Sequence, residues 1–432
     1  MNFLYLHTHD TGRHVAPYGL PMPTPRIARL AREGVLFRQA FSAAPVCSPS
    51  RAALLHGNWP HENGMIGLAH RGSRLNDPSQ HLANVLGDAG WQCALVGEQH
   101  VAAPAGLAAL GYHEVPPVRS TAAVDVAPVA VRWLHERDRS RPFFLSVGLH
   151  ETHRPYPPPD PDRPDDDPRY LAPPPSMPDT PEIRADVAGL RRMARAADSA
   201  FGAVLDALAE TEAADDTLVF LTTDHGLPWP NAKCNVGDAG TGVMLLMRGP
   251  AGFSGGKVVE SMVSQLDIFP TVCALAGLPR PPWLRGQSLL PLVDGSADAL
   301  HEALFAEVTC HAASEPMRSI RTPRWRYIRR FDGGDLRVLA NVDDGAAKTL
   351  FVEHGWQRWL PETESLHDLT LDPGEQVNLV RSAEHAPVLA DLRARLADWM
   401  ERTGDPLLDP DWQPPAGIHV VPRTSISPDG DG

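Results

Sequence analysis

The sequence predicts an α/β protein: a mostly parallel central sheet flanked by helices, followed by a smaller C-terminal antiparallel sheet. Three observations predict it. Short apolar runs alternate with helical patterning through the first two-thirds of the chain. Several of those runs end in polar clusters, at the strand ends where open α/β sheets place their sites. After Glu307 the texture changes to basic and aromatic strand-like segments, Met317 to Phe331.

In chain order, Phe3 to His7 reads as a buried first strand, ending in His9-Asp10. Thr24-Pro25 caps and opens a helix through Ile27, Leu30 and Ala31. Cys47-Ser-Pro-Ser-Arg51 precedes an Ala- and Leu-rich stretch, which puts Cys47 at a helix N-terminus. Trp91 to Val96 is a second strand, ending in Gly97-Glu98-Gln99-His100. Pro142 to Gly148 is a third, ending in His150-Glu-Thr-His153-Arg154, and Thr217 to Thr223 a fourth, ending in Asp224-His225-Gly226. The Pro- and Asp-rich stretch from Tyr156 to Asp179 reads as a long ordered loop near the site, with a flexible lid as the alternative. A long helix runs from Thr180-Pro181 to about Glu210. An amphipathic helix from Pro387 to Arg402 covers the second sheet. The expected domains are residues 1–310 and 311–423, with a disordered tail at 424–432.

Composition excludes several function classes. The 432 residues are 43% hydrophobic with a net charge of -14, which argues against nucleic acid as a partner. No segment has the apolar length of a membrane span, and the start Met-Asn-Phe-Leu-Tyr-Leu-His shows no secretory signal, so a cytoplasmic protein is expected. The five cysteines are scattered with no CxxC pair, against a disulfide framework. Lysine occurs only at 233, 257 and 348, which singles out Lys233. A homodimer is compatible with the sequence.

Cys47 carries the chemistry. A helix N-terminus and Arg51 one turn on favour negative charge there, attracting oxyanions and lowering a thiol pKa. The bland alternative is a small buried residue capping a core helix. His9, Asp10, Asp224 and His225 end two strands, and two carboxylates with two imidazoles can converge on one divalent cation. Such mixed ligation suits manganese, zinc or iron better than calcium.

The run Cys47-Ser-Pro-Ser-Arg51 with its small-residue helix and Gly57 resembles the signature of the type I (formylglycine-dependent) sulfatases of the alkaline-phosphatase-like superfamily. Asp10, Thr223-Asp-His-Gly226 and Asp368-Leu-Thr-Leu-Asp-Pro-Gly-Glu-Gln-Val-Asn378 look like further landmarks of that family in their usual order. Trp59 to Met65, Arg141 to Leu145, His150 to Arg154, Asp179 to Asp186, and Glu307-Val-Thr with Pro316-Met-Arg-Ser319 are most similar to the sulfamidases, the N-sulfoglucosamine sulfohydrolases. The resemblance implies an alkaline-phosphatase-like fold and hydrolysis of sulfate from a small N- or O-sulfated sugar. It implies that a formylglycine-generating enzyme converts Cys47 to formylglycine, whose hydrate attacks sulfur beside one metal ion, calcium in the family. Arg51 would hold the hydrate, Lys233 the sulfate, His153 would protonate the leaving group, and His100 would help eject sulfate. Glu307, Arg318 and Arg154 would grip the sugar.

Two positions depart from the family pattern. His9 stands where a carboxylate is usual, and Glu98 where a lysine is usual, so Glu98 either pairs with His9 as a charge exchange or turns to solvent. The Asp224-His225 ending also resembles phosphonate monoesterases and phosphodiesterases, which is the alternative reaction, and arylsulfatase action is a third. A relative that leaves Cys47 unmodified and only binds anions or sugars is the alternative outside catalysis.

Overall fold

The structure is a computed structural model that describes residues 1–430. Four parallel strands build the half of the main sheet that matters for function: β1 (Asn2–His7), β3 (Gln92–Gly97), β4 (Phe143–Gly148) and β5 (Thr217–Thr222). They lie in the order β3-β4-β1-β5, and the sheet continues through β7 (Leu245–Arg248) and β2 (Val35–Phe41), with β6 (Gly242–Val243) and β8 (Lys257–Ser264) also beside β2. Only β6 and β7 run against the rest. β1, β3, β4 and β5 are the strands expected from the apolar runs, with ends shifted by at most a residue, whereas β2, β6, β7 and β8 were not expected.

Those runs are continuous because both faces of the sheet are covered. Alternate residues of one strand point to opposite faces. Phe3 and Tyr5 join Phe144 and Phe220 on one side, against Leu54, Leu82 and Phe269 of the covering helices. Leu4 and Leu6 join Leu145 and Val219 on the other, against Val126 and Ala130 of the helix Ala123–Glu136 and Phe201 of the helix Pro181–Glu210.

Thr24 does not cap its helix Pro25–Glu33. Its hydroxyl accepts from Ala16 N, and the free amides of Arg26 and Ile27 in the first turn donate to the Asp198 carboxylate of the long helix instead, at 3.2 and 2.8 Å. The proline-rich stretch is anchored, as the ordered-loop reading expects: Asp166 is buried between Arg191 and Arg195 of the long helix, at 2.8 and 2.6 Å.

The second sheet is antiparallel, in the order β12-β11-β10-β9. Its strands are β9 (Leu304–Cys310), β10 (Ser314–Arg321), β11 (Trp325–Arg330) and β12 (Glu364–Asp368). The expected boundary at residue 310 therefore falls inside its first hairpin, because β9 pairs with β10 rather than with the main sheet. The helix Ala386–Thr403 covers it through Leu389, Leu392, Leu396 and Trp399. The tail is not loose where it is described. Ser425 is buried, Lys348 Nζ donates to Ile426 O at 2.5 Å, and Ser427 Oγ donates to Asp344 at 2.7 Å. Residues 431–432 of the expected disordered tail lie outside the described residues. Among the described residues no helix is long and apolar enough to cross a membrane.

Candidate active site

Pairing register assembles the site. His7 lies opposite Gly148 on one side and Thr222 on the other, and Gly97 opposite Gly148. The polar clusters after these four residues thus emerge at one level on one edge. Hydrogen bonds from the backbone lock them: His9 N donates to Glu151 O (2.8 Å), Thr152 N to His9 O (2.7 Å), and Asp10 N to the Asp224 side chain at Oδ1 (2.8 Å). Glycine is required where they crowd. A Cβ on Gly226 would stand 1.8 Å from Ala239 O, and one on Gly148 would stand 2.3 Å from the His7 ring.

Cys47 is the first residue of the helix Cys47–His56, as expected, and is buried. Its sulfur lies 3.4 Å from His225 Nε2 and 4.0 Å from Asp10 Oδ1. The depressed thiol pKa expected from the sequence is overturned: burial pushes the thiol well up, Lys233 opposes this, and Asp10 and Asp224 add to it. Burial, with two carboxylates that only the fold brings close, outweighs the helix N-terminus.

Ligand atoms of His9, Asp10, Cys47 and Asp224 all lie within 4.8 Å of one another, in buried positions. His225 Nε2 joins them 3.1 Å from Asp10 Oδ1, while its Nδ1 bonds Gly226 O at 3.0 Å. Burial drives the His9 pKa down to about 4, against the pull of Asp224 and Asp10, so its imidazole is neutral and can ligate. Three carboxylates, Asp10, Asp224 and Asp343, face two fixed cations, Arg51 and Lys233. That excess of negative charge and the donor set fit a divalent cation.

Arg51, expected to hold the hydrate, has both guanidinium tips engaged by the protein itself. Nη1 bonds His7 Nδ1 (2.6 Å), and Nη2 donates to Thr8 O (2.9 Å) and Asp224 (3.0 Å), leaving Nε buried with no partner. Lys233 Nζ donates to Asp10 Oδ2 (3.0 Å) and Asp343 Oδ2 (2.7 Å) and lies 3.4 Å from His153 Nε2. Burial works against its charge, but the two carboxylates raise its pKa well above the ordinary value. His153 bonds Arg154 O through Nδ1 at 2.6 Å, which turns Nε2 toward the site. His100 Nδ1 lies 3.4 Å from His9 Nε2, and its Nε2 lies 3.2 Å from Nδ1 of exposed His70.

The three residues expected to grip a sugar are not free to do so. Arg154 is buried, ion-paired with Asp186, and donates to Pro228 O at 3.2 Å. Arg318 is fully buried, bonded to both oxygens of Asp405 and to Val308 O. Glu307 is consumed by the ring and backbone N–H of His61. Buried ion pairs account for their charge: Arg154 with Asp186 of the long helix, Glu307 with His61, and Arg318 with Asp405. Glu98 makes no direct pair with His9. It is half-buried and bonds Gln99 N at 3.3 Å, and although burial opposes ionisation, nearby His9 and Arg51 hold its carboxyl below the usual range. Asp343 and His70 were missed, since neither lies in a motif and only packing brings them near.

A family model described as Sulfatase matches residues 1–278, and one described as N-sulphoglucosamine sulphohydrolase, C-terminal, matches residues 233–345. Human N-sulphoglucosamine sulphohydrolase is 30% identical over 459 residues, covering 94% of this chain and 91% of that protein. A solved 2-O GAG sulfatase superposes with a TM-score of 0.74 at 23% identity, covering 97% of each chain. A phosphonate monoester hydrolase of Agrobacterium radiobacter gives 0.73 at 21% identity, covering 93% of this chain and 96% of that one. Since the Sulfatase model matches more than half of the chain and the human relative is 30% identical over nearly all of it, the chain belongs to the sulfatase family and is a hydrolase of sulfate esters or sulfamates.

Proposed function

We propose that the protein removes sulfate from the nitrogen of a small N-sulfated amino sugar, with Cys47 converted to formylglycine by a formylglycine-generating enzyme. The observation that carries this reading is the placement of Cys47 against His225 and Asp10, with Lys233 and His153 alongside. The similarity to human N-sulphoglucosamine sulphohydrolase favours nitrogen over oxygen as the leaving atom. His9, Asp10, Asp224 and His225 would hold the divalent cation, and two nitrogen donors favour manganese, zinc or iron over calcium. Together the aldehyde hydrate and the cation supply a nucleophilic hydroxyl of lowered pKa and a Lewis acid for the sulfate oxygens.

This chain's own side chains do the rest. Arg51 Nε has an unused N–H for a hydroxyl at position 47. Lys233, oriented by two carboxylates, neutralises the sulfate oxygens. His153, with Nδ1 tied to a carbonyl, delivers a proton from Nε2 to the leaving nitrogen. His100, between His9 and exposed His70, takes up a proton inside and can pass it outward.

The test is the mass of the Cys47 peptide from protein co-expressed with the converting enzyme, followed by assays on N-sulfoglucosamine, an aryl sulfate and a phosphodiester. Exchange of sulfur for oxygen with loss of two hydrogens, and preferred turnover of the sulfamate, is the expected result. An unmodified thiol removes the nucleophile. Preferred turnover of the phosphodiester favours the second reading, a phosphonate monoester or phosphodiester hydrolase, which the imidazoles of His9 and His225 in the centre support.

A further inference from the structure

Asp343 comes from the second subdomain, just after the short turn Leu339–Asn341. Its segment is pinned on both sides. Asn341 accepts from Ala313 N (2.8 Å) and donates to Glu315 (2.9 Å). Buried Lys348 donates to Val342 O (2.8 Å) and to Asp344 (2.7 Å), which also accepts from Ser427. A side chain held this firmly can meet a ligand in a fixed geometry.

One oxygen of Asp343 is committed and the other is not. Oδ2 accepts from Lys233 at 2.7 Å. Among the described residues no donor reaches Oδ1, and the side chain keeps 12% exposure, so it borders open space. Ligand atoms of Asp343, His153 and Asp10 lie within 4.8 Å of one another, with Lys233 Nζ bonded to both carboxylates. The ammonium already supplies the cation there, so this trio is not a second metal centre.

A carboxylate in this place repels an anionic substrate unless the substrate offers it a donor. Burial works against its ionised form, but Lys233 lowers its pKa below the ordinary value, so it stays an acceptor at neutral pH. It stands on the side of His153, the group that faces the leaving atom. A sulfamate has an N–H at that atom, whereas an aryl sulfate presents only oxygen and a ring.

We propose, resting on the sulfamidase reading above, that Asp343 is a specificity-determining residue whose free oxygen accepts a hydrogen bond from the N–H of the leaving amine. Lys233 and the leaving amine are then two donors to one carboxylate. Asparagine keeps the size but has one acceptor oxygen for the two, and its amide N–H₂ opposes the other donor.

The test compares wild type and Asp343→Asn, both with Cys47 converted, on N-sulfoglucosamine and on an aryl sulfate. Both activities fall through Lys233, but kcat/KM for the sulfamate should fall roughly 10- to 100-fold further than for the aryl sulfate. An unchanged ratio overturns the proposal and leaves Asp343 only as the partner of Lys233. Calorimetry on the unconverted thiol form gives a readout without turnover. N-sulfoglucosamine should lose more affinity on Asp343→Asn than inorganic sulfate, because both meet Lys233 but only the sulfamate offers an N–H; equal losses for both ligands also overturn it. Failure of the sulfamidase reading is visible separately, as a wild type that cleaves the aryl sulfate and not the sulfamate.

Discussion

Replacing Arg318 by methionine should destabilise the fold and leave substrate affinity in place. The guanidinium is fully buried, with Nη2 3.0 Å and Nε 2.5 Å from the two oxygens of Asp405, Nη1 2.8 Å from Val308 O, and Glu307 at 3.6 Å. Methionine fills much of the same space but leaves Asp405 and Glu307 with only His61 as a cation. Burial alone would lower the His61 pKa, but Glu307 already raises it, so His61 is committed before Arg318 is removed. Taking one partner from a buried pair costs about 3–5 kcal/mol, a large part of a typical total of about 5–15 kcal/mol. Urea unfolding reads this as a lower midpoint at unchanged slope. Arg318→Met/Asp405→Leu removes the stranded charge as well and should recover about 2 kcal/mol or more of the loss. An unmoved midpoint together with a raised KM for a sulfated sugar would refute the argument and return Arg318 to the substrate.

Three further outcomes follow from the same structure. Burial holds His14 neutral with a pKa down to about 4, and His81 and His311 down to about 3. Below the unfolded value of about 6.5 the unfolded chain binds protons that these rings refuse, so stability is lost as pH falls; each costs about 2 kcal/mol by pH 5. A urea midpoint equal at pH 7 and pH 5 would contradict this. Gly226→Ala forces a Cβ against the Ala239 carbonyl and should displace Asp224 and His225, lowering metal content, whereas Gly277→Ala, with open space and φ +68, should cost only about 1 kcal/mol. Comparable metal content and melting in the two variants would show that the close approach is unimportant. Asp10→Asn should empty the centre of metal, measured by elemental analysis after dialysis, and slow turnover by at least about 100-fold; retained metal would point to a different ligand set.

The pattern of residues placed β1, β3, β4 and β5, because a strand covered on both faces must be apolar along its length, but it did not mark β2, β6, β7 and β8. It also determined Cys47, His9, Asp10, Asp224 and His225, because each follows a strand or opens a helix and so needs only local rules to place. Lys233 was legible as a rare lysine downstream of Asp224. What it could not decide was which charges face substrate and which face each other. Arg154, Glu307 and Arg318 look like a sugar grip in one dimension, yet each found a buried counter-ion distant in sequence: Asp186, His61 and Asp405. Asp198 took the helix N-terminus that Thr24 was expected to cap, for the same reason. Asp343 reached Lys233 across 110 positions with no motif to mark it. Local pattern fixes where a backbone turns and what its ends carry, whereas an ion pair depends on distance after folding, and only the tertiary structure sets that distance.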